Sequence, residues 1–132
     1  NVVQMCEIYA NVPEDFLLLG GDDPLTVAVM AIGGKGIISV ASNVVPTEMS
    51  QIMELCERGD FVGARKLHTW LLPLIQVNFV ESNPIPVKAA MAAMGLLEEA
   101  YRLPLTPPSA GARDKIMHVL AQLRLMGAAA RV

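Results

Sequence analysis

Charge is scarce in this chain. Asp, Glu, Lys and Arg together make up 17% of its 132 residues, against roughly 25% in an ordinary soluble domain. The charges sum to −3 and the pI is about 5.3, so no basic field exists to hold nucleic acid or anionic lipid. Cysteine is limited to Cys6 and Cys56. That spacing excludes a disulfide framework and a metal-ligand cluster, and it suits a reducing, cytoplasmic setting. Long apolar runs are missing as well. Stretches such as Val27 to Ile32 and Ala89 to Met94 fall far short of the roughly 20 residues that span a bilayer. Residues Asn1 to Met5 show neither a basic start nor a long apolar run, so no signal peptide is expected there. Apolar residues, by contrast, are abundant at 53%, with a mean hydropathy of +0.44. This excludes a disordered chain and leaves an apolar surplus to be explained.

Val2, Val3, Cys6 and Tyr9 or Ala10 fall at helical spacing and predict an amphipathic helix over Val2 to Ala10. Pro13 lies in the Asn11-Val12-Pro13 break that ends it. Phe16-Leu17-Leu18-Leu19 reads as a strand buried on both faces, closed by Gly20-Gly21. Asp22-Asp23-Pro24 reads as a helix start with an aspartate cap. The helix itself is Leu25 to Ile32, stopped by Gly33-Gly34-Lys35-Gly36. Ile37-Ile38-Ser39-Val40 predicts a second strand. Pro46 opens a helix through Arg58, and Gly59-Asp60 breaks it. A longer helix follows, with Phe61, Ala64, Leu67, Leu71, Ile75 and Phe79 on one face and a kink expected at Pro73. Ser82-Asn83-Pro84 starts the next helix, which ends at Gly95. Leu103 to Gly111, with three prolines, reads as a loop. Arg113 to Met126 reads as a last helix with Ile116, Leu120 and Leu123 inward, and the tail Gly127 to Val132 is expected to fray.

The order is helix, strand, helix, strand, then four helices. Strands alternating with helices indicate right-handed βαβ units and a parallel sheet. Two strands leave too many faces and edges unpartnered to stand alone. The expectation is the back part of a larger α/β protein. A (β/α)8 barrel takes about 250 residues, so this is roughly half of one plus a helical appendage. The apolar surplus then belongs to surfaces meant for the rest of the barrel.

Few residues stand out as chemistry. Gly20-Gly21-Asp22-Asp23 joins a strand to a helix, where barrel active sites gather, although a tight turn and a helix cap are the simpler reading of the residues alone. Gly33-Gly34-Lys35-Gly36 precedes a strand and lacks the Lys-Ser/Thr pair of a phosphate loop. Ser39, Ser42 and Asn43 at the end of the second strand read as loop-bonding residues. His68 and His118 are isolated on helices, so no metal site is expected. No Gly-x-Ser-x-Gly elbow or Cys/His pairing is visible. Lys35, Lys66, Lys88 and Lys115 are not placed at the C-terminal end of a strand, and each reads as a solvated charge.

Several motifs nevertheless occur in a recognisable order. They are Gly21-Asp22-Asp23, Gly33 to Val40, Ser42-Asn43-Val44, Ala64-Arg65, Leu71 to Leu74, Glu81 to Lys88 and Arg102 to Pro107. Across nearly the whole chain, this series resembles the C-terminal half of the dihydrodipicolinate synthase family. The Asn-Pro-x-Pro-x-Lys and Arg-Leu-Pro-Leu-Thr-Pro stretches carry most of the specificity. The resemblance implies an α/β chain, mostly helical by residue count. Residues 1–60 would be the last part of a TIM barrel, its last two strands with their helices. Residues 61–132 would be the C-terminal helical region of three helices. It implies a lyase that condenses pyruvate with aspartate semialdehyde through a lysine Schiff base, with no cofactor and no metal, on the route to lysine and diaminopimelate. In the family, the Schiff-base lysine, the proton-relay tyrosine and the substrate arginine precede the segment seen here. The expectation is therefore that no catalytic residue lies within it, that a missing N-terminal half-barrel is its partner, and that alone it is inactive.

The resemblance also assigns a substrate-binding wall to this chain: Gly21, Ile38 and Asn83. Gly21 would admit close approach, Ile38 would seal water from the imine, and Asn83 would cap its helix. It further implies a homo-oligomer with Val2, Val3, Ala28, Ala31 and Ile32 at one interface. Two other readings stand beside it: a sister pyruvate aldolase acting on a sugar acid, and a non-catalytic helical module that binds a protein partner through its apolar face.

Overall fold

The computed structural model describes residues 1–126, so the expected fraying of Gly127 to Val132 falls outside the described residues. The elements run α1 (Val2–Asn11), β1 (Leu19–Gly20), a 3-10 turn (Asp23–Leu25), α2 (Thr26–Ala31), β2 (Gly36–Ile37), a second 3-10 turn (Ala41–Asn43), α3 (Pro46–Glu57), α4 (Phe61–Val77), α5 (Ile85–Ala93) and α6 (Ala110–Gln122). Two compact units result, Asn1–Trp70 and Leu71–Val132, and the division falls inside α4. No helix among the described residues is long and apolar enough to cross a membrane.

In the first unit, β1 and β2 pair in parallel, with Leu19 opposite Gly36 and Gly20 opposite Ile37. The strands are shorter than the apolar runs suggested and begin later in the first run and earlier in the second. Phe16, Leu17 and Leu19 are exposed, and only Leu18 of that run is buried. Within this chain the strand is therefore covered on one face only. Side chains alternate across a strand, and only one face of this ribbon is covered, by α2. That packing is close: a Cβ on Gly20 would lie 2.8 Å from Val29 Cγ2.

The start of α2 also differs from the sequence reading. A 3-10 turn precedes it, and the Asp22 side chain makes no capping bond. Gly33, at φ +98°, ends the helix as expected, in a conformation that favours glycine. Val29, Ala41, Val44, Val45, Met49, Ile52, Cys56 and Ala64 are buried in this unit. Burial also pushes the Cys56 thiol up from its ordinary pKa, which keeps it an inert core residue. None of the α1 residues is buried.

The second unit places Leu71, Leu74, Ile75, Ile85, Ala90, Ile116 and Leu120 in its core, with α5 packed on α6. Helix α4 runs through Pro73 and ends at Val77, so Phe79 lies beyond it and is exposed, as is Phe61. Pro84 occupies the N-cap of α5 and no side chain caps it. The expected cap by Asn83 is not made, because the chain turns one residue later. Helix α6 starts three residues before the sequence reading placed it. Ser109 accepts a bond from the Ala112 N–H at 3.2 Å and donates to Glu81 at 2.6 Å, so an ordinary serine cap starts the helix inside the stretch whose three prolines predict a loop.

Two polar features of this unit carry predictions. Both amide atoms of Asn78 are fully buried and have no hydrogen-bond partner among the described residues. An unpaired buried amide costs about 1–3 kcal/mol, so Asn78→Leu is expected to raise the urea midpoint, by roughly 1 kcal/mol of stability after repacking. Arg113 makes two contacts to the Glu99 carboxylate, and Tyr101 donates to it at 3.0 Å. The Arg113 bond holds the Glu99 pKa below its usual value, while burial and the Glu99 bond push Tyr101 up to about 12. A lowered carboxylate pKa stabilises the fold above the unfolded value and loses that stability as pH falls through the folded one. The pair is exposed, so Glu99→Gln is expected to remove less than about 1 kcal/mol at neutral pH. Urea midpoints of the variant and parent should converge below pH 4.5, the unperturbed value for this carboxyl.

Candidate functional site

Two parallel strands end side by side, and the loops that leave them define the candidate site. Gly21 directly follows β1 and Ile38 directly follows β2, one step past the paired residues Gly20 and Ile37. The Ile38 N–H donates to the Gly20 carbonyl at 2.8 Å, which joins the two strand ends. The two expected site residues of the first unit are thus brought together. The Ile38 side chain is 70% exposed. Beside Gly21, a Cβ would meet nothing within 4 Å. Both residues border open space. Asn83, the third expected site residue, lies in the second unit, exposed, just before Pro84.

Asp23 holds the two loops together. It is 1% exposed, and its Oδ2 accepts from the Val40 and Ala41 N–H groups, each at 2.9 Å. These are leading donors of the 3-10 turn Ala41–Asn43, which have no partner within that turn. A carboxylate there satisfies them and complements the positive end of the turn. The Asp23 carbonyl in turn accepts from Thr26 Oγ1 at 2.7 Å and lies 3.1 Å from His68 Nε2. Because a carbonyl only accepts, this ring nitrogen carries the proton. The loop after β2 is further closed on itself: the Ser42 N–H donates to Ser39 Oγ at 2.9 Å, and Asn43 Nδ2 donates to the Val40 carbonyl at 3.0 Å.

Sequence reasoning found Gly21 and Ile38 through the resemblance. It placed Asp23 at a helix start and His68 among isolated histidines. Only the pair Asp22-Asp23 at the end of a strand hinted at more, because one carboxylate suffices for a cap. Ser39, Ser42 and Asn43 are loop-bonding residues, as expected.

Lys35, Lys66 and Lys115 are exposed, and Lys88 holds its ammonium 5.1 Å from the centre of the Tyr101 ring. No cluster of three or more His, Cys, Asp or Glu able to hold a metal occurs among the described residues.

The profile of the Dihydrodipicolinate synthetase family matches residues 1–123. This chain belongs to that family. It is 46% identical over 119 residues to a 4-hydroxy-tetrahydrodipicolinate synthase of Koribacter versatilis, covering 90% of this chain and 40% of the relative. It is also 46% identical over 130 residues to the enzyme of the same name from Chloroherpeton thalassium, covering 98% of this chain and 43% of that one. The crystal structure of dihydrodipicolinate synthase from Aquifex aeolicus superposes with a TM-score of 0.93 at 43% identity, over 96% of this chain and 43% of the other. The chain therefore spans about two-fifths of the length of the family members it matches. It has the family's fold over that stretch, a helix-rich α/β segment with two parallel strands. The matches favour neither the sugar-acid aldolase nor the interaction-module reading.

Proposed function

We propose that this chain is the C-terminal segment of a dihydrodipicolinate synthase, a class I lyase that condenses pyruvate with aspartate semialdehyde. The observation that carries the reading is the position of Gly21 and Ile38, each one residue past the paired Gly20 and Ile37 at the C-terminal ends of two parallel strands, where barrel enzymes build their sites. In this reading, β1 and β2 are the last barrel strands, residues 1–60 complete the barrel, and residues 61–132 form the C-terminal helical region. The exposed apolar side chains Phe16, Leu17, Leu19 and Ile38 face what the rest of the barrel covers. The lyase is cytoplasmic.

The chemistry begins with an amine that attacks the pyruvate ketone and loses water to form an imine. The imine then loses a C3 proton, and the resulting enamine attacks the aldehyde carbon of the second substrate. An attacking lysine must be desolvated in the pocket to be nucleophilic at neutral pH, and none of the four lysines here lies at the C-terminal end of β1 or β2. The proposed lysine therefore lies outside these residues, as does the proton-relay tyrosine. This segment supplies part of the pocket wall. Gly21 leaves room for substrate and Ile38 excludes water from the imine. The exposed Val2, Val3 and Ala31, with the half-buried Ala28 and Ile32 beside Ala31, provide a contact between subunits of a homo-oligomer.

Borohydride reduction in the presence of pyruvate tests this directly. The 132-residue chain alone is expected to gain no pyruvate adduct by intact mass. Fused to the part of the Aquifex aeolicus synthase that it does not cover, it is expected to trap pyruvate and turn over. In that fusion, Gly21→Ala should raise KM for pyruvate about tenfold, the loss expected from a close backbone approach worth about 1.4 kcal/mol, without lowering stability. Trapping on the isolated chain, or a fusion that folds and traps nothing, overturns the reading.

A further inference from the structure

Asp23 is the polar residue with the largest share of bonds at the strand ends, and nothing in the pocket reading assigns it a task. It is nearly fully buried, and among the described residues its carboxylate has no salt bridge: Oδ2 takes two backbone N–H groups from the next loop, and Oδ1 has no partner. Burying a carboxylate is costly unless its bonds are strong. A helix cap could have been made by Asp22 at the surface, which is exposed and makes no capping bond. The chain instead buries a charge to connect two segments seventeen residues apart.

The connected atoms are close to the proposed pocket. Asp23 lies two residues after Gly21, and Val40 lies two residues after Ile38. The 3-10 turn at Asp23–Leu25 and Pro24 within it restrict the first loop. Thr26 Oγ1 and His68 Nε2 hold the Asp23 carbonyl from two directions. The carboxylate is thus a fixed point, and the loop after β2 is hung from it by two charge-assisted bonds.

We propose that Asp23 is a positioning residue for the pyruvate site. By gripping the Val40 and Ala41 N–H groups, it sets the height of Ile38 above the strand ends relative to Gly21. It touches neither substrate nor imine. The inference rests on the pocket reading above and adds to it a cause for the pocket's shape. It accounts for the two adjacent aspartates, of which only the second is buried.

Two measurements test it. In the fusion enzyme, the Val40 and Ala41 amide protons are expected to exchange slowly, and Asp23→Asn should speed their exchange while the α3 amides keep theirs. Unchanged Val40 and Ala41 amides in Asp23→Asn overturn the proposal. In the fusion enzyme, Asp23→Asn is expected to raise KM for pyruvate at least about tenfold, the worth of one charge-assisted bond, with kcat reduced less than KM is raised. Asp23→Glu, which keeps the charge but misplaces it, should raise KM as well. A variant that merely loses folded protein would lower the apparent kcat and leave KM alone, and that result overturns the proposal while the pocket reading stands. A parent fusion that folds without activity overturns the pocket reading itself, and this one with it.

Discussion

Asp23→Ala is expected to cost about 3 kcal/mol of stability in the first unit. Each hydrogen bond to an ionised group is worth about 1.5–3 kcal/mol, and the substitution removes two. The full sum is not expected, because the Val40 N–H is part-exposed and water can replace its partner. The Ala41 N–H belongs to a residue with no exposure and bears most of the loss. Asp23→Asn should fall between, at about 1–2 kcal/mol, since the amide oxygen still accepts but without the charge. Urea unfolding followed by amide exchange at Val40 and Ala41 measures both. A cost below about 0.5 kcal/mol, the range of ordinary surface substitutions, would show that the loop is held by something other than this carboxylate.

Leu120→Ala should be as damaging in the second unit. The side chain sits on α6 with no exposure, alongside Ile116 on the same helix face, and α5 packs against that helix. Truncating a buried leucine costs about 2–5 kcal/mol, the spread reflecting how far the surroundings collapse into the cavity. Leu103→Ala is the matched control, because that leucine is 88% exposed and its loss should stay within about 0.5 kcal/mol. If the two variants unfolded at the same urea concentration, α6 would not be part of the core.

Much of this architecture was legible in advance because its signals are local. Pro13, Pro24, Pro46, Gly33 and Gly59 act on their own backbone, and the elements begin and end beside them. The helix-strand order and the parallel pairing followed from alternation of apolar runs. Ile116, Leu120 and Leu123 share one face by spacing, and all three are buried. The family motifs brought Gly21 and Ile38 to notice, and the register of β1 and β2 joins them.

Other features had no local signal. Phe61 and Phe79 extend the apolar stripe of α4 on paper, but Phe61 is exposed on the first turn and Phe79 lies beyond the last. The run Phe16 to Leu19 promises burial on two faces and receives it on one. Asn83 and Asp22 look like caps and make no capping bond. A side chain of this kind can bond its own helix or a segment elsewhere, and the residue type is the same in both cases.

The amino-acid order by itself determined where the backbone turns, which residues group by helical period, and the kinship with the dihydrodipicolinate synthetase family. Those depend on steric restriction within a few residues and on motifs that can be read along a line. Only the folded chain decided how long the strands are, which aspartate is buried, and that its carboxylate ties one strand end to the next. Each of these depends on atoms distant in sequence arriving within hydrogen-bond reach, and no local preference encodes that distance.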